Sequence, residues 1–274
     1  MQQQITIIRA TRGWRGINIA ELIHYKDLLW FLTIRGIKAK YAQSVLGVSW
    51  AVIQPLFSTL VFTVIFGSVA KIDSNGVPYF LFSFVALVPW TFFANTLTDS
   101  ANSLVANAAM INKVYFPRLV LPLSSILSKG VDFIIGFFLL VIFLFVYQVM
   151  PGWELIYLPW LILVLLMTSL GIGMILSAMA VQYRDVKHAM SFAVQLLMYA
   201  APVVYPTTNV PEQYRWMYAL NPMVGVIEGF RSIFLKTIDF PYEWVIMGTI
   251  ISIILFVFGV FYFKRMERVF ADVA

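Results

Sequence analysis

Long apolar stretches separated by short polar segments dominate the chain. Residues 42–70, 74–98, 133–153, 155–183 and 244–263 carry no charge. A helix needs about 20 apolar residues to cross a bilayer, and its backbone polar groups must be paired within the segment. Each stretch therefore predicts a transmembrane helix, and the predicted fold class is an all-α integral membrane protein.

A further stretch, residues 188–211, carries no Asp, Glu, Lys or Arg and has His188 only at its edge, and it predicts a sixth span, the fifth in chain order. Pro202 and Pro206 are expected to end its helix early, because proline lacks the N–H that a helix interior needs. The sequence thus predicts one membrane domain over residues 1–274. Its parts are an N-terminal region at 1–41, a six-span region at 42–265 and a tail at 266–274.

Residues 207–236 predict a different kind of element before the last span. The apolar part, residues 216–227, is too short to cross the membrane, and the Asn221-Pro222 pair interrupts it. We expect two short re-entrant helices that dip into the outer leaflet and return. A solvated loop is the alternative.

The basic residues predict that both termini are cytoplasmic. In that orientation fifteen cations face inward and four face outward, which is a strong positive-inside bias. The inner set is Arg9, Arg12, Arg15, Lys26, Arg35, Lys38, Lys40, Lys113, Arg118, Lys129, Arg184, Lys187, Lys264, Arg265 and Arg268. The outer set is Lys71, Arg215, Arg231 and Lys236. A seventh span at 207–236 would reverse the last three inner cations, so the bias disfavours it.

Composition narrows the function classes. Hydrophobic residues make up 61% of the 274 residues and charged residues 12%, whereas soluble domains have about 45–50% and about 25%. There is no cysteine, which excludes disulfides and thiolate sites. His24 and His188 lie far apart in sequence, so no metal site is expected. The net charge of +6 is assigned to cytoplasmic loops rather than to nucleic-acid binding.

The chain lacks the motifs of an energy-supplying or catalytic subunit. It has no Gly-Lys dipeptide and hence no P-loop. Its spans hold almost no acidic residues, which an ion-driven carrier would be expected to bury, and no carboxylate pair or triad suggests an intramembrane enzyme. We expect a permease that is not itself an enzyme and binds no cofactor, with energy supplied by another chain.

The N-terminal region predicts an amphipathic helix on the inner membrane surface. Glu21, His24 and Asp27 roughly follow helical spacing, with apolar residues between them. A solvated helix face packed on protein is the alternative interpretation.

Cations end this region immediately before the first span. Arg35, Lys38 and Lys40, followed by Tyr41, could simply anchor the helix and set the topology. They could instead receive a lipid phosphate or diphosphate, a task that suits arginine because its planar guanidinium pairs two oxygens.

Two further features carry alternative functions. The short basic loop at 107–118 is either a plain connector or a docking element for a soluble partner, with a short helix that Pro117 ends. Aromatic residues make up 16% of the chain. They form either the usual interfacial belt or a lining on which a sugar chain slides. The lining candidates are Trp50, Trp90, Tyr199 and Tyr205.

Several motifs together resemble ABC-2 type permeases that export polysaccharides, a family that includes O-antigen, capsule and teichoic-acid exporters. The longest is RGIKAKYAQSVLGVSWAVIQPL at 35–56. The others are KVYFPR at 113–118, YRDV at 183–186, PVVYP at 202–206 and NPM at 221–223. The resemblance extends from about residue 21 to the C-terminus and is specific for the family, but much less so for the substrate.

The resemblance implies roles for particular residues. The loop would be a coupling helix that docks on an ATPase, through Asn112, Lys113, Tyr115, Phe116, Pro117 and Arg118. The helix at 21–31 would be an interfacial helix beside it. The outer gate would comprise Pro211, Trp216, Asn221, Pro222, Glu228 and Arg231.

The resemblance also implies partners and a substrate. We expect a homodimer in the inner membrane with two ABC ATPase subunits, which would carry ATP and Mg, and with membrane lipids around it. The expected cargo is a lipid-linked glycan, foremost an O-antigen on undecaprenyl diphosphate. Teichoic acid or capsule is the alternative within the family, and an intramembrane glycosyl- or acyltransferase is the alternative outside it. Because six helices enclose little room, we expect the glycan channel at or between two copies.

Overall fold

The computed structural model describes residues 19–42, 44–267 and 270. Over these residues the fold is all-helical, which confirms the predicted class. Eleven α-helices follow one another in the described part of the chain. They are α1 (Ile19–His24), α2 (Lys26–Tyr41), α3 (Trp50–Phe62), α4 (Tyr79–Ala106), α5 (Ala108–Ile111), α6 (Val120–Val146), α7 (Leu158–Gln182), α8 (Val186–Tyr199), α9 (Arg215–Tyr218), α10 (Pro222–Leu235) and α11 (Tyr242–Met266).

Five helical segments are long and apolar enough to cross a membrane. They are Gly47–Val69, Tyr79–Ala106, Val120–Val146, Trp153–Gln182 and Tyr242–Met266. The first combines α3 with the 3-10 turn Gly47–Ser49 and the π-helical turn Thr63–Val69. Each overlaps one of the five charge-free stretches, so these five spans agree with the sequence prediction in number. The third differs in place, because its helix begins at Val120, ahead of the predicted stretch 133–153, and includes Lys129 and Asp132.

The sixth predicted span corresponds to α8, which has only 14 residues. At 1.5 Å per residue this helix is roughly 21 Å long, shorter than a hydrocarbon core of about 30 Å. It ends at Tyr199, three residues before Pro202, as the prolines led us to expect. A sixth crossing therefore stays a prediction.

The outer segment contains one well-formed helix, α10, preceded by short helical turns. Asn221 caps α10, because its side-chain oxygen accepts a hydrogen bond from the Met223 N–H at 3.1 Å, and Pro222 occupies the first turn. Ahead of it, Glu212–Tyr214 forms a 3-10 turn and α9 a single α-helical turn. The helices thus divide at the Asn-Pro pair, while their depth in a membrane stays a prediction.

Helix α4 is the centre of the fold. It packs against α6, α7, α10, α8 and α3, and 83% of its most apolar window is buried. Its aromatic side chains form the middle of the main hydrophobic core, for example Phe84 against Phe143 at 5.1 Å between ring centroids. The surrounding helices are therefore positioned by their contacts with α4.

A second apolar cluster lies at the other end of the bundle and is called the inner cluster below. It joins the middle of α2, the C-terminal parts of α4, α7 and α11, the start of α6, and the end of α5 with the loop after it. Its buried members are Leu32, Leu104, Ile111, Phe116, Leu119, Val120, Leu121, Met174, Ala178, Val260, Phe263 and Phe270. The predicted coupling loop thus packs on the inner cluster, which is separate from the main core.

Candidate functional site

The loop between α5 and α6 has a buried base and an exposed tip. Phe116 is 4% exposed and belongs to the inner cluster, and Pro117 beside it is also buried. Asn112, Lys113 and Tyr115 are exposed, Tyr115 at 58%. Of the anchors predicted for docking, Tyr115 therefore faces outward, whereas Phe116 and Pro117 hold the loop to its own chain.

The N-terminal helical region contacts this tip. The Tyr115 hydroxyl donates to the Glu21 carboxylate of α1 at 3.3 Å, and the Tyr25 hydroxyl donates to the Tyr115 carbonyl at 3.5 Å. Partial desolvation and the neighbouring Glu21 carboxylate raise the pKa of Tyr115 above its ordinary value. The N-terminal helices thus contact the loop directly.

The C-terminal end holds the other side of the loop. The Arg118 N–H donates to the Glu267 carboxylate at 3.3 Å, and the Arg118 guanidinium donates to the Glu267 carbonyl. The same guanidinium lies 5.7 Å from the centre of the Phe270 ring. The loop is thus held by the N-terminal helices on one side and by residues that follow α11 on the other.

The basic residues before the first span are not equivalent. Arg35 and Lys38 are exposed on α2. Lys40 forms an ion pair with Asp132 of α6 at 2.5 Å, and the Tyr41 hydroxyl donates to the same carboxylate. Arg35 and Lys38 are thus accessible to an anionic ligand, whereas Lys40 and Tyr41 fasten α2 to α6.

Sequence analysis missed Asp132 as a partner of these cations. It also missed a second ion pair close by, between Asp99 of α4 and Lys129 of α6 at 2.6 Å. Both carboxylates stand at the boundary of a charge-free stretch, a position that could have marked them in the sequence. The cation that pairs with each carboxylate depends on helix packing, so it could not be predicted from the sequence.

The four aromatic lining candidates occupy different environments. Trp50 at the start of α3 and Tyr199 at the end of α8 are exposed. Tyr205 is half-buried, and its hydroxyl donates to the Tyr199 carbonyl at 2.7 Å. Trp90 is 3% exposed inside the main core, with its ring 5.6 Å from that of Phe93. In this conformation Trp90 packs against protein on all sides, so only the other three lie near a surface.

The predicted outer-gate residues also separate into two groups. Pro211 and Trp216 are exposed, and Asn221 is half-buried at the start of α10. Pro222, Glu228 and Arg231 lie on α10, whose residues are all buried against α4, α7 and α11. Pro211 and Trp216 are thus accessible at the surface, whereas Pro222, Glu228 and Arg231 belong to the buried core.

No cluster of three or more His, Cys, Asp or Glu that could hold a metal ion occurs among the residues that the structure describes.

Comparison with known proteins places this arrangement in a family. The chain is 31% identical over 249 residues to the O-antigen export system permease protein RfbA of Klebsiella pneumoniae, an alignment that covers 90% of this chain and 95% of that protein. It is 31% identical over 218 residues to RfbA of Myxococcus xanthus, with 79% and 83% covered.

A more distant relative is the polysialic acid transport protein KpsM of Escherichia coli, at 24% identity over 209 residues, which cover 73% of this chain and 78% of that protein. These relatives are transport proteins, and the ABC-2 type transporter profile matches residues 27–235, which is most of the chain. This match includes the braced loop, the cations before the first span and α10, so the chain belongs to the ABC-2 type transporter family.

Proposed function

We propose that this protein is the permease subunit of an ABC exporter that moves a lipid-linked polysaccharide from the cytoplasmic to the outer face of the inner membrane. The foremost cargo is an O-antigen on undecaprenyl diphosphate. The observation that carries the proposal is the 31% identity to an O-antigen export permease over 90% of the chain. Capsular polysaccharide is the second candidate, supported by the weaker likeness to KpsM at 24%, and teichoic acid is the third.

A separate ATPase subunit supplies the energy in this proposal, and this chain binds no cofactor itself. ATP and Mg reside on the partner. The exposed tip of the braced loop, centred on Lys113 and Tyr115, is the docking element for that subunit. Both ends of the chain contact this loop, so docking would affect α1, α2 and α11 together.

The topology proposed for this function has six spans and cytoplasmic termini, with α8 as the short fifth span. The positive-inside bias supports it. The positions of the ion pairs Asp99–Lys129 and Lys40–Asp132 support it as well. Asp99 and Asp132 border the charge-free stretches 74–98 and 133–153 on the side that this topology makes cytoplasmic.

Two copies of the chain form the channel in this proposal. In the most apolar 18-residue stretch of the first span, which contains α3, only 6% of the residues are buried. Helix α8 has a single buried residue, Met190. Both helices pack on α4 and leave broad faces open. Trp50 and Tyr199 stand on these helices, so a second copy facing α3 and α8 would bring exposed aromatic rings to the shared path.

The lipid diphosphate is received by Arg35 and Lys38 in this scheme. A diphosphate carries about two negative charges and cannot enter hydrocarbon unpaired at a tolerable cost. The two exposed cations of α2 precede the first span, and Lys40 would join them only if its ion pair with Asp132 opened.

The decisive experiment reconstitutes the permease with its cognate ATPase in vesicles and supplies a lipid-linked O-antigen. The expected result is ATP-dependent appearance of the glycan on the opposite face, with none from the permease alone. A glycosyl or acyl transfer catalysed by the purified permease without an ATPase would instead identify an intramembrane transferase. Transport of capsule but not of O-antigen would assign the second candidate.

A further inference from the structure

The segment that follows α8 is not helical, yet most of it is buried. Residues 200–206 contain Pro202 and Pro206, and Ala201 to Val204 lie inside the protein. The end of a helix leaves carbonyl oxygens without intrahelical donors, and in a low-dielectric interior each unpaired one is costly. The chain must therefore supply other donors here.

Side chains from other elements supply several of these donors. The Val204 carbonyl accepts from the Tyr79 hydroxyl of α4 at 2.5 Å. The Ala200 carbonyl accepts from the Asn221 amide at 3.4 Å. Both donors stand at the beginning of a well-packed helix, so the segment is tied to the core at two places.

Arg231 of α10 makes the largest number of these contacts. Its guanidinium donates to the Val203 carbonyl at 3.0 Å through one nitrogen and to the Tyr205 carbonyl at 3.2 Å through another. The same group lies 3.6 Å from the centre of the Phe82 ring of α4. One side chain therefore bridges two carbonyls of the segment and holds them against α4.

The charge of Arg231 is balanced next to it. Glu228 accepts from the guanidinium at 2.8 Å, and the two side chains are 1% and 2% exposed. A buried ion pair adds little stability compared with apolar side chains of similar volume, so its presence calls for another explanation, and the carbonyls of the segment provide one.

Helix α8 differs strongly from the segment that follows it. Of its 14 residues only Met190 is buried, so few contacts of this chain hold the helix in place. A loosely held helix that continues into a tightly held segment can tilt about that point.

We propose that Arg231 is a positioning residue that anchors the unwound segment 200–206 to α10 and makes it the fixed pivot at the C-terminal end of α8. Glu228 keeps the guanidinium charged and oriented. α8 changes its tilt during the transport cycle, and α10 and α4 stay in place.

The first test measures backbone amide exchange of the permease alone in lipid nanodiscs. The double variant Glu228→Leu/Arg231→Met removes both charges together, so the fold is expected to survive, but it also removes the donors to Val203 and Tyr205. Exchange in 200–206 should become about tenfold faster, the factor expected for losing a charge-assisted hydrogen bond. Amides of α4 and α10 should keep their protection.

The outer segment offers a matched control. Glu212 and Arg215 form an ion pair with the same three-residue spacing, but it is exposed and 3.5 Å long. Glu212→Leu/Arg215→Met should leave exchange in 200–206 unchanged. Arg231→Lys is the second variant, because lysine keeps the charge but loses the planar fork that reaches both carbonyls. It should also accelerate exchange in the segment.

Two outcomes would overturn the anchor. Unchanged exchange in 200–206 in both Arg231 variants would show that other contacts hold the segment. Equal acceleration in α4 and α10 would show that the pair only stabilises the fold.

The second test concerns the pivot and rests on the proposed function, since it needs the ATPase complex. Exchange is compared with and without ATP bound. Protection of α8 should differ between the two states while that of 200–206 stays constant. Joint change of both, or no change in α8, would refute the pivot, and neither result depends on which glycan is carried.

Discussion

Helices α3 and α4 follow each other in the chain and are both strongly apolar, but their environments are opposite. In the most apolar 18-residue stretch of the first span, 6% of the residues are buried, whereas in that of α4 the share is 83%. A soluble protein could not leave so apolar a helix as α3 uncovered. In a membrane, lipid tails or a second copy of the chain cover such a helix. Hydrophobicity thus reports that a helix belongs in the bilayer, and burial reports what it packs against.

The same contrast recurs within the site. Phe116 and Tyr115 are adjacent aromatics with opposite exposure, and α10 is a short charged helix that is more buried than any apolar span. Most of the predictions below compare a buried residue with an exposed one to test this contrast.

The largest effect is expected from Phe84→Ala in α4. Phe84 is fully buried in the main core, and the cavity left behind should cost about 3–5 kcal/mol of stability. Phe57→Ala on the exposed face of α3 should leave the stability of the chain nearly unchanged. Thermal unfolding in detergent compares the two. Equal destabilisation by both would mean that α3 packs within its own chain.

The next effect separates the two aromatics of the loop. Tyr115→Ala should abolish most of the stimulation of ATP hydrolysis by the partner subunit. It should change the melting temperature of the permease little, because the side chain is exposed and the hydrogen bond from its hydroxyl to Glu21 lies at the surface. Phe116→Ala should lower that temperature, because it empties part of the inner cluster. ATPase binding and thermal unfolding are measured for both variants. Normal transport by Tyr115→Ala/Phe116→Ala would remove the loop from the mechanism.

A smaller effect is expected at Arg35. Arg35→Lys keeps the charge but loses the paired geometry, so insertion should be normal and substrate-stimulated ATP hydrolysis impaired several-fold, about the value of one charge-assisted hydrogen bond. Arg35→Gln should be worse. Full export by Arg35→Gln at normal expression would contradict the phosphate-receiving role.

Lys40 supplies the comparison for Arg35. Lys40→Gln leaves the Asp132 carboxylate without its ion pair, so it should loosen the packing of α2 on α6 rather than change the response to substrate. Crosslinking between these helices is a suitable measurement, since the chain has no native cysteine.

The smallest effect is expected for the aromatic lining. Trp50→Ala removes an exposed ring from α3 and should slow glycan transport a few-fold, consistent with about 1 kcal/mol for an aromatic contact, with stability unchanged. Trp90→Ala removes a buried ring and should destabilise the fold. Transport rate and melting temperature are measured for both. If Trp90→Ala slowed transport but left the melting temperature unchanged, Trp90 would again be a candidate for the channel lining.

Much of the architecture could be predicted from the pattern of apolar residues. Five spans, the early end of α8 before Pro202 and the division at Asn221-Pro222 were expected, because charge-free length, proline and helix capping act locally. The burial of Phe116 could not be predicted, since both it and Tyr115 are aromatic residues in a polar loop. Nor could the pairing of Asp132 with Lys40 and Tyr41, because these residues meet only when α2 packs beside α6.

The sequence by itself determined that this chain is a membrane protein, where its five longest spans lie and which family it resembles, because the solvent and the backbone constrain each segment separately. Only the tertiary structure decided that α4 is the central helix and that the loop contacts both the N-terminal helices and the residues after α11. It also decided that the Arg231 guanidinium meets the carbonyls of Val203 and Tyr205. The reason is that a bilayer accepts apolar residues on every helix face. The pattern along a span therefore carries little information about its neighbours, and the contacts between helices make that choice.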